Sequence, residues 1–171
     1  MKRIAVDMDG VLADVYRQFI AYHEKDTGVR LEIEKLDGLP EFVAFPNGHR
    51  HANTKGFFRT VPVVPGSRDV LERINQRYQV FVVSAAMEFP ASLEDKREWL
   101  NEHFPFIHWR QIVFCGSKEI VKADIMIDDH LKNLDKFEGD TFLFSQPHNH
   151  GLQTKHRRVD SWEEIAELLL S

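Results

Sequence analysis

Cysteine is nearly missing from this sequence. Cys115 is the single thiol among 171 residues, so no internal disulfide and no thiolate metal cluster can form, and nothing calls for an oxidising compartment. Positive charge is also short, with 22 Lys and Arg against 27 Asp and Glu. Such a balance has no basic surplus for gripping a polynucleotide, although a small phosphorylated ligand needs only a local cluster of cations. The N-terminal MKRIAVDMDG carries two positive charges, but Asp7 breaks its apolar run far short of a signal sequence, and no stretch approaches a membrane span. These absences predict a soluble, cytoplasmic protein with neither polynucleotide nor membrane as partner. They leave homodimer formation open. What is present, 43% hydrophobic residues over this length, suffices for one full core.

Five short apolar runs stand out: RIAVDM at 3–8, VFVVS at 80–84, QIVFC at 111–115, DIMIDD at 124–129 and TFLFS at 141–145. None alternates strictly, which predicts strands buried on both faces in a parallel sheet. Helical patterns lie between most of them. Ser67 to Tyr78 puts Val70, Leu71 and Ile74 on one face behind a Pro65-Gly66 turn, with Ser67 as expected N-cap. Ser92 to Phe104 does the same with Leu93, Trp99 and Leu100, and SWEEIAELLL has Ser161 and Glu164 at capping-box spacing. The alternation predicts an α/β fold: a Rossmann-like three-layer core with right-handed crossovers. Residues 15–62 interrupt the rhythm with a single clear helix, Val15 to Lys25, ended by Gly28, then an irregular stretch rich in Phe, Gly, His and Pro. Long connections of this kind are uncommon unless functional. They are expected to form a small, mainly helical cap inserted after the first strand, with residues 1–14 and 63–171 as the core.

Ligands of open α/β sheets bind at the carboxyl ends of the strands, and here each strand end carries polar groups. The first ends in Asp7 and Asp9, the second in Ser84, the third leads to Gly116-Ser117-Lys118, the fourth ends in Asp128-Asp129 and the fifth leads to HNHG at 148–151. Alone, each has a plain explanation: a solvated loop, a helix cap, a turn serine, a surface lysine. Jointly, at successive strand ends, they point to one site. Four carboxylates brought together repel one another, and a divalent cation with oxygen ligands, Mg²⁺, is the simplest compensation. In Asp-Met-Asp-Gly the glycine permits a sharp turn whose N–H groups can face an anion. Lys118 supplies positive charge for a phosphate. The set is coherent for phosphoryl transfer.

VDMDGVLAD, VVSAA, GSK and ADIMIDD resemble the four ordered motifs of the haloacid dehalogenase-like phosphohydrolases. HFPFIHWRQIVFCGSKEIVKADIMIDD and FSQPHNHGLQTKHRRVDSWEEI further resemble segments of the 5'(3')-deoxyribonucleotidases, whereas the cap is matched chiefly through GFFRTVPVVPG at 56–66. The resemblance implies that Asp7 attacks phosphorus and becomes an aspartyl-phosphate, and that Asp9 protonates the leaving alcohol and then activates water. It implies that Ser84, Ala85 and Lys118 hold the phosphate, and that Asp7, the Asp9 carbonyl and Asp129 hold Mg²⁺, with Asp128 behind them. The implied substrate is a deoxyribonucleoside monophosphate. Three positions depart from the pattern: Val15 replaces an aromatic that helps enclose the base, Gly116 a long basic side chain, and His130 an arginine or lysine. Val15, Phe42, Phe45, Phe57 and Phe58 are the candidate substrate pocket, with Arg50 or Arg59 as candidate nucleotide contacts. His49/His51 and His148/His150 are H-x-H pairs, more simply read as loop residues than as a zinc site. The competing readings are a phosphatase for another small phosphomonoester and a non-catalytic phosphate-binding domain; retention of Asp9 argues against the second.

Overall fold

The computed structural model describes residues 1–171. All five apolar runs are strands, and a sixth lies beyond them: β1 Arg3–Val6, β2 Gln79–Ser84, β3 Ile112–Phe114, β4 Ile125–Asp128, β5 Asp140–Phe144 and β6 Arg157–Val159. They form one parallel sheet in the order β3-β2-β1-β4-β5-β6. The order reverses at β1, between β2 and β4, which is where an open sheet of this kind leaves a crevice at its carboxyl edge. β6 escaped the sequence reading because its three residues, RRV, are two arginines and one valine; a short, charged edge strand protects a sheet end and leaves no apolar run.

Seven α-helices accompany the sheet: α1 Val15–Thr27, α2 Glu41–Ala44, α3 Gly48–Ala52, α4 Ser67–Arg77, α5 Ser92–His103, α6 Leu131–Leu134 and α7 Trp162–Leu170. On one sheet face, Ile4, Val6, Val80, Val82, Ile125 and Ile127 pack with the apolar sides of α4, α5 and α7 in a large buried cluster. Behind the other face, Ala5, Val83, Met126 and Leu143 meet Leu134 of α6 and the flanking connections, a thinner layer. The helix ends follow local chemistry. Asp14 caps α1 by accepting the Arg17 N–H at 3.2 Å, and Gly28 closes it in the left-handed region. The expected Ser67 cap is corrected: Gly66, at φ 75°, occupies the cap position of α4, and Ser67 is the first helical residue, its hydroxyl buried without a partner. The tight turn after Pro65 requires a left-handed residue, and glycine supplies it without strain. At α7, Ser161 accepts the Glu164 N–H at 3.2 Å, but the Glu164 carboxylate accepts from the Asp160 N–H rather than that of Ser161.

Residues 15–62 contain α1, α2, α3 and two 3₁₀ turns, Ile33–Leu36 and Phe58–Thr60, and no strand. The short α2 and α3 lie where the sequence showed only irregular chain. The chain leaves and returns side by side: the Asp14 N–H donates to Pro62 O and the Val64 N–H to Leu12 O, both at 2.8 Å. Two buried tryptophans brace this crossing, since Trp162 Nε1 donates to Val11 O at 2.8 Å and Trp99 Nε1 to Val61 O at 2.7 Å. A Trp162→Phe exchange keeps an aromatic ring but strands the Val11 carbonyl, and is expected to cost about 1–3 kcal/mol in denaturant unfolding. An unchanged unfolding midpoint would show that the indole N–H contributes nothing.

Candidate active site

The turn after β1 starts the site. The Met8 N–H donates to Asp7 Oδ1 at 2.7 Å, and the N–H groups of Gly10, Val11, Leu12 and Ala13 all bond back to Ala13 O or Met8 O. The loop therefore spends most of its donors on its own closure, and only the Asp9 N–H remains without a protein acceptor, fewer than the expected anion-facing turn would offer. Gly10 sits at φ 78°, and a Cβ on it would lie 2.2 Å from Asp129 Oδ2. Both the turn and the approach of the fourth strand end need a glycine there.

Asp7, Asp128 and Asp129 converge, with carboxylate oxygens within 4.8 Å of one another. Lys118 is buried between two of them, its Nζ 2.7 Å from Asp7 Oδ1 and 2.6 Å from Asp128 Oδ2. Burial works against its charge, but Asp7 and Asp128 outweigh burial and hold its pKa well above the ordinary lysine value. Asp128 is 0% exposed and saturated, also accepting from the His130 N–H and Asn133 Nδ2. Asp7 keeps one oxygen free: Oδ1 holds Lys118 and the Met8 N–H, while Oδ2 accepts no hydrogen bond. Burial raises the Asp7 pKa to about 7, with Lys118 opposing and Asp128 and Asp9 adding to the rise. Burial, then Asp7 and Asp128, push Asp129 well above the carboxylate range.

Two buried carboxylate oxygens, Asp9 Oδ1 and Asp129 Oδ1, have no partner, and the Asp9 carbonyl accepts no hydrogen bond. Orphaned oxygens beside crowded acids are the condition a hard divalent cation relieves, so Asp7, Asp129 and the Asp9 carbonyl fit an oxygen-ligated metal. A second group, Glu41, His130 and His148, also brings its ligand atoms within 4.8 Å. It suits a metal poorly. The two imidazoles stack at 4.3 Å and 18°, so their in-plane lone pairs cannot converge, and His148 is already bonded to Tyr16 Oη at 3.1 Å and Asp129 O at 2.9 Å. Burial lowers the pKa of His130 to about 4 and depresses that of His148, leaving two neutral rings as a wall.

A cavity of about 650 Å³ opens from these groups. Of the residues expected around the substrate, Asp7, Asp9, Ser84, Ala85, Lys118, Asp129, Val15, Phe42 and Phe58 line it. Phe45 and Phe57 do not: they are buried against Phe19, with Phe45 also on Tyr16 and Phe57 on Tyr22. Arg50 pairs with Asp26 and Arg59 with Glu102, away from the cavity. The histidine pairs split too. His51 binds Asp26 while His49 stacks on Phe42, and His150 binds Asp37 while His148 lies at the site. Phe19, one turn beyond Val15 on α1, brings an aromatic to the wall where Val15 is small. The sequence reading missed Glu41 and Lys96. Lys96 had a signal: it lies three residues before Trp99, on the buried face of α5. Its ammonium is 2.5 Å from Asp9 Oδ2 and 3.1 Å from Ser84 Oγ.

A family model described as 5' nucleotidase, deoxy (pyrimidine), cytosolic type C protein matches residues 1–171. This chain belongs to that nucleotidase family. It is 42% identical, over 99% of both chains, to a 5'(3')-deoxyribonucleotidase of Bacillus subtilis, and equally so to one of Bacillus phage SPbeta. A haloacid dehalogenase-like hydrolase from Streptococcus pneumoniae shares the fold at a TM-score of 0.62 and 12% identity over 98% of each chain. So does a Bacillus subtilis HAD-hydrolase solved with magnesium, at 0.57 and 14% identity over 98% of each chain. The chain is thus a phosphomonoester hydrolase with the fold of the haloacid dehalogenase-like hydrolases. No helix is long and apolar enough to cross a membrane.

The raised carboxyl pKa values carry a sign. A carboxyl that binds its proton more tightly when folded contributes stability fully below its unfolded value, 3.8 for Asp7, and loses it as the pH climbs through about 7. Asp129 acts in the same sense. A divalent cation relieves the ionised acids, so Mg²⁺ is expected to raise the melting temperature more at about pH 8 than at about pH 5. An equal rise at both values would contradict this reading of the cluster.

Proposed function

We propose that the protein is a Mg²⁺-dependent phosphatase that hydrolyses deoxyribonucleoside monophosphates, in the cytoplasm, to nucleoside and inorganic phosphate. One observation carries the chemistry. Asp7 has one oxygen immobilised by Lys118 and the Met8 N–H, and the other unengaged beside the cavity. A nucleophile held this way needs no reorientation before attack. In the first step Asp7 Oδ2 bonds to phosphorus and the phosphorus–oxygen bond to the sugar breaks, with protonated Asp9 giving its proton to the departing alkoxide. In the second, water attacks the aspartyl-phosphate, Asp9 takes the water proton, phosphate leaves and Asp7 is restored. Ser84 and Lys118 hold the phosphate oxygens throughout, and Asp128 keeps Lys118 in place. Asp7, Asp129 and the Asp9 carbonyl would hold Mg²⁺, which would supply charge that lets an anionic carboxylate approach an anionic ester; the magnesium-bound fold relative supports this choice.

The leaving-group side supports a nucleoside. Residues 15–62 act as a cap, and with the core they surround the cavity with Val15, Phe19, Phe42, Phe58 and Phe89, ring and aliphatic surface suited to a flat base. Glu41 and Glu88 line the same cavity. Burial, then Asp9 and Glu88, raise the Glu41 pKa to about 7. A leaving group bearing a second phosphate meets these carboxylates, whereas a neutral nucleoside does not.

The test is phosphate release from 5'- and 3'-deoxyribonucleotides, ribonucleotides, sugar phosphates and p-nitrophenyl phosphate, with and without Mg²⁺. Metal-dependent preference for deoxyribonucleoside monophosphates is expected; no turnover of any substrate would refute the phosphatase, and preference for a sugar phosphate would refute the substrate. Asp7→Asn is expected to lower turnover by at least about 10³-fold with the melting temperature preserved. Retained activity would mean that another group attacks. Glu41→Gln is expected to narrow the preference for monophosphates over diphosphates, and an unchanged ratio would remove Glu41 from substrate selection.

A further inference from the structure

Lys96 is the most deeply buried cation of the molecule, at 1% exposure. It reaches the site from α5, an element outside the four strand-end motifs. Its ammonium touches Asp9 Oδ2 at 2.5 Å and Ser84 Oγ at 3.1 Å, and the face of Phe58 covers it at 4.4 Å from the ring centroid. The residue before it, Asp95, accepts the Gly56 N–H at 2.6 Å, so successive side chains of one helix turn secure the inserted segment and enter the site.

Burying an ammonium against a single carboxylate is weak evidence for stability, because desolvation consumes most of the attraction. The geometry accounts for the lysine in another way. Asp9 must present its carboxyl to the leaving oxygen and then to a water, and the Lys96 contact on Oδ2 fixes the plane in which that carboxyl lies. Ser84 accepts the Lys96 N–H, so its own hydroxyl hydrogen is free to point elsewhere, toward the cavity that Ser84 lines. Lys96 and Lys118 both line the cavity, so the site carries two lysines.

We propose that Lys96 is a positioning residue of the phosphatase: its ammonium fixes the Asp9 carboxyl for proton transfer to the leaving alkoxide and then from the attacking water, and turns the Ser84 hydroxyl into a phosphate donor. The inference rests on the phosphatase reading above. It predicts a dependence on the leaving group. A deoxyribonucleoside leaves as an alkoxide that needs a proton as the bond breaks, whereas p-nitrophenolate leaves without one. Loss of Asp9 alignment therefore harms the first substrate far more than the second, while loss of phosphate binding or of general packing harms both alike.

The experiment compares kcat/KM, which reports the steps up to leaving-group departure and not hydrolysis of the shared aspartyl-phosphate, for the full-length wild type, Lys96→Met and Lys96→Gln with a deoxyribonucleoside 5'-monophosphate and with p-nitrophenyl phosphate, at saturating Mg²⁺. Lys96→Met is expected to lose about 100-fold on the nucleotide, the scale of general acid catalysis, and less than about tenfold on the aryl ester. Lys96→Gln, which keeps a donor for Asp9, is expected to fall between wild type and Lys96→Met. Equal losses on both substrates, or no loss, would overturn the proposal, as would failure of both variants to fold, which would assign Lys96 to structure. A wild type inactive on both substrates would overturn the phosphatase reading and this inference together; an active wild type with an unchanged substrate ratio in the variants would overturn only the inference.

Discussion

The site depends on one ammonium among acids. Lys118 lies between Asp7 and Asp128, 2.7 and 2.6 Å from their oxygens, with Asp129 beside them. Without that cation the ends of β1 and β4 would place buried like charges together with no counter-charge, at a cost no other contact there offsets. With it, Asp128 is fully satisfied, Asp7 is fixed by one oxygen, and Asp129 and Asp9 are each left with a buried oxygen that has no partner. The charge imbalance that remains is of the kind that a divalent cation relieves. The sheet order places this arrangement where β2 and β4 diverge from β1, so the electrostatics and the topology select the same crevice.

Around this centre the rest of the chain supplies rigidity and enclosure. Trp162 and Trp99 reach across the core to carbonyls on either side of the point where residues 15–62 leave and return. Gln146 donates to Gly10 O at 2.6 Å, and Asn149 to Asp129 O at 2.8 Å, so the segment after β5 ties both acid-bearing loops together. The late HNHG sequence thus contributes the Asn149 amide, bonded to Asp129 O, and His148, stacked on His130. Residues 15–62 close the cavity with aromatic surface and with Glu41, and Phe58 seals Lys96 from solvent.

Much of this was legible in the sequence because its signals are local. A strand buried on both faces reads as an apolar run, so five strands could be found singly, and Asp7, Asp9, Ser84, Lys118, Asp128 and Asp129 stood out because polar groups recur at successive strand ends, though no one of these motifs would have sufficed alone. What stayed hidden depends on contacts distant in sequence. Whether Phe45 or Phe42 faces the cavity is decided by how α1 packs on α2, and both are phenylalanines in an irregular stretch. Glu41 has no periodicity to mark it. β6 is defined by pairing with β5 and not by its own residues. Lys96 was readable in principle, as a lysine on the apolar face of α5, but a long charged side chain on such a face more often extends its ammonium to water. Only the positions of Asp9 and Ser84 show why this one does not.

The proposed mechanism requires that Asp7 become phosphorylated during turnover. Acid quenching of the enzyme during hydrolysis of a deoxyribonucleoside monophosphate, followed by borohydride reduction and peptide mass spectrometry, locates an acyl-phosphate by converting its aspartate to homoserine. Homoserine is expected at position 7, dependent on substrate and Mg²⁺. Homoserine at Asp9 or Asp129, or active turnover with no reduced aspartate anywhere in the chain, would contradict this mechanism.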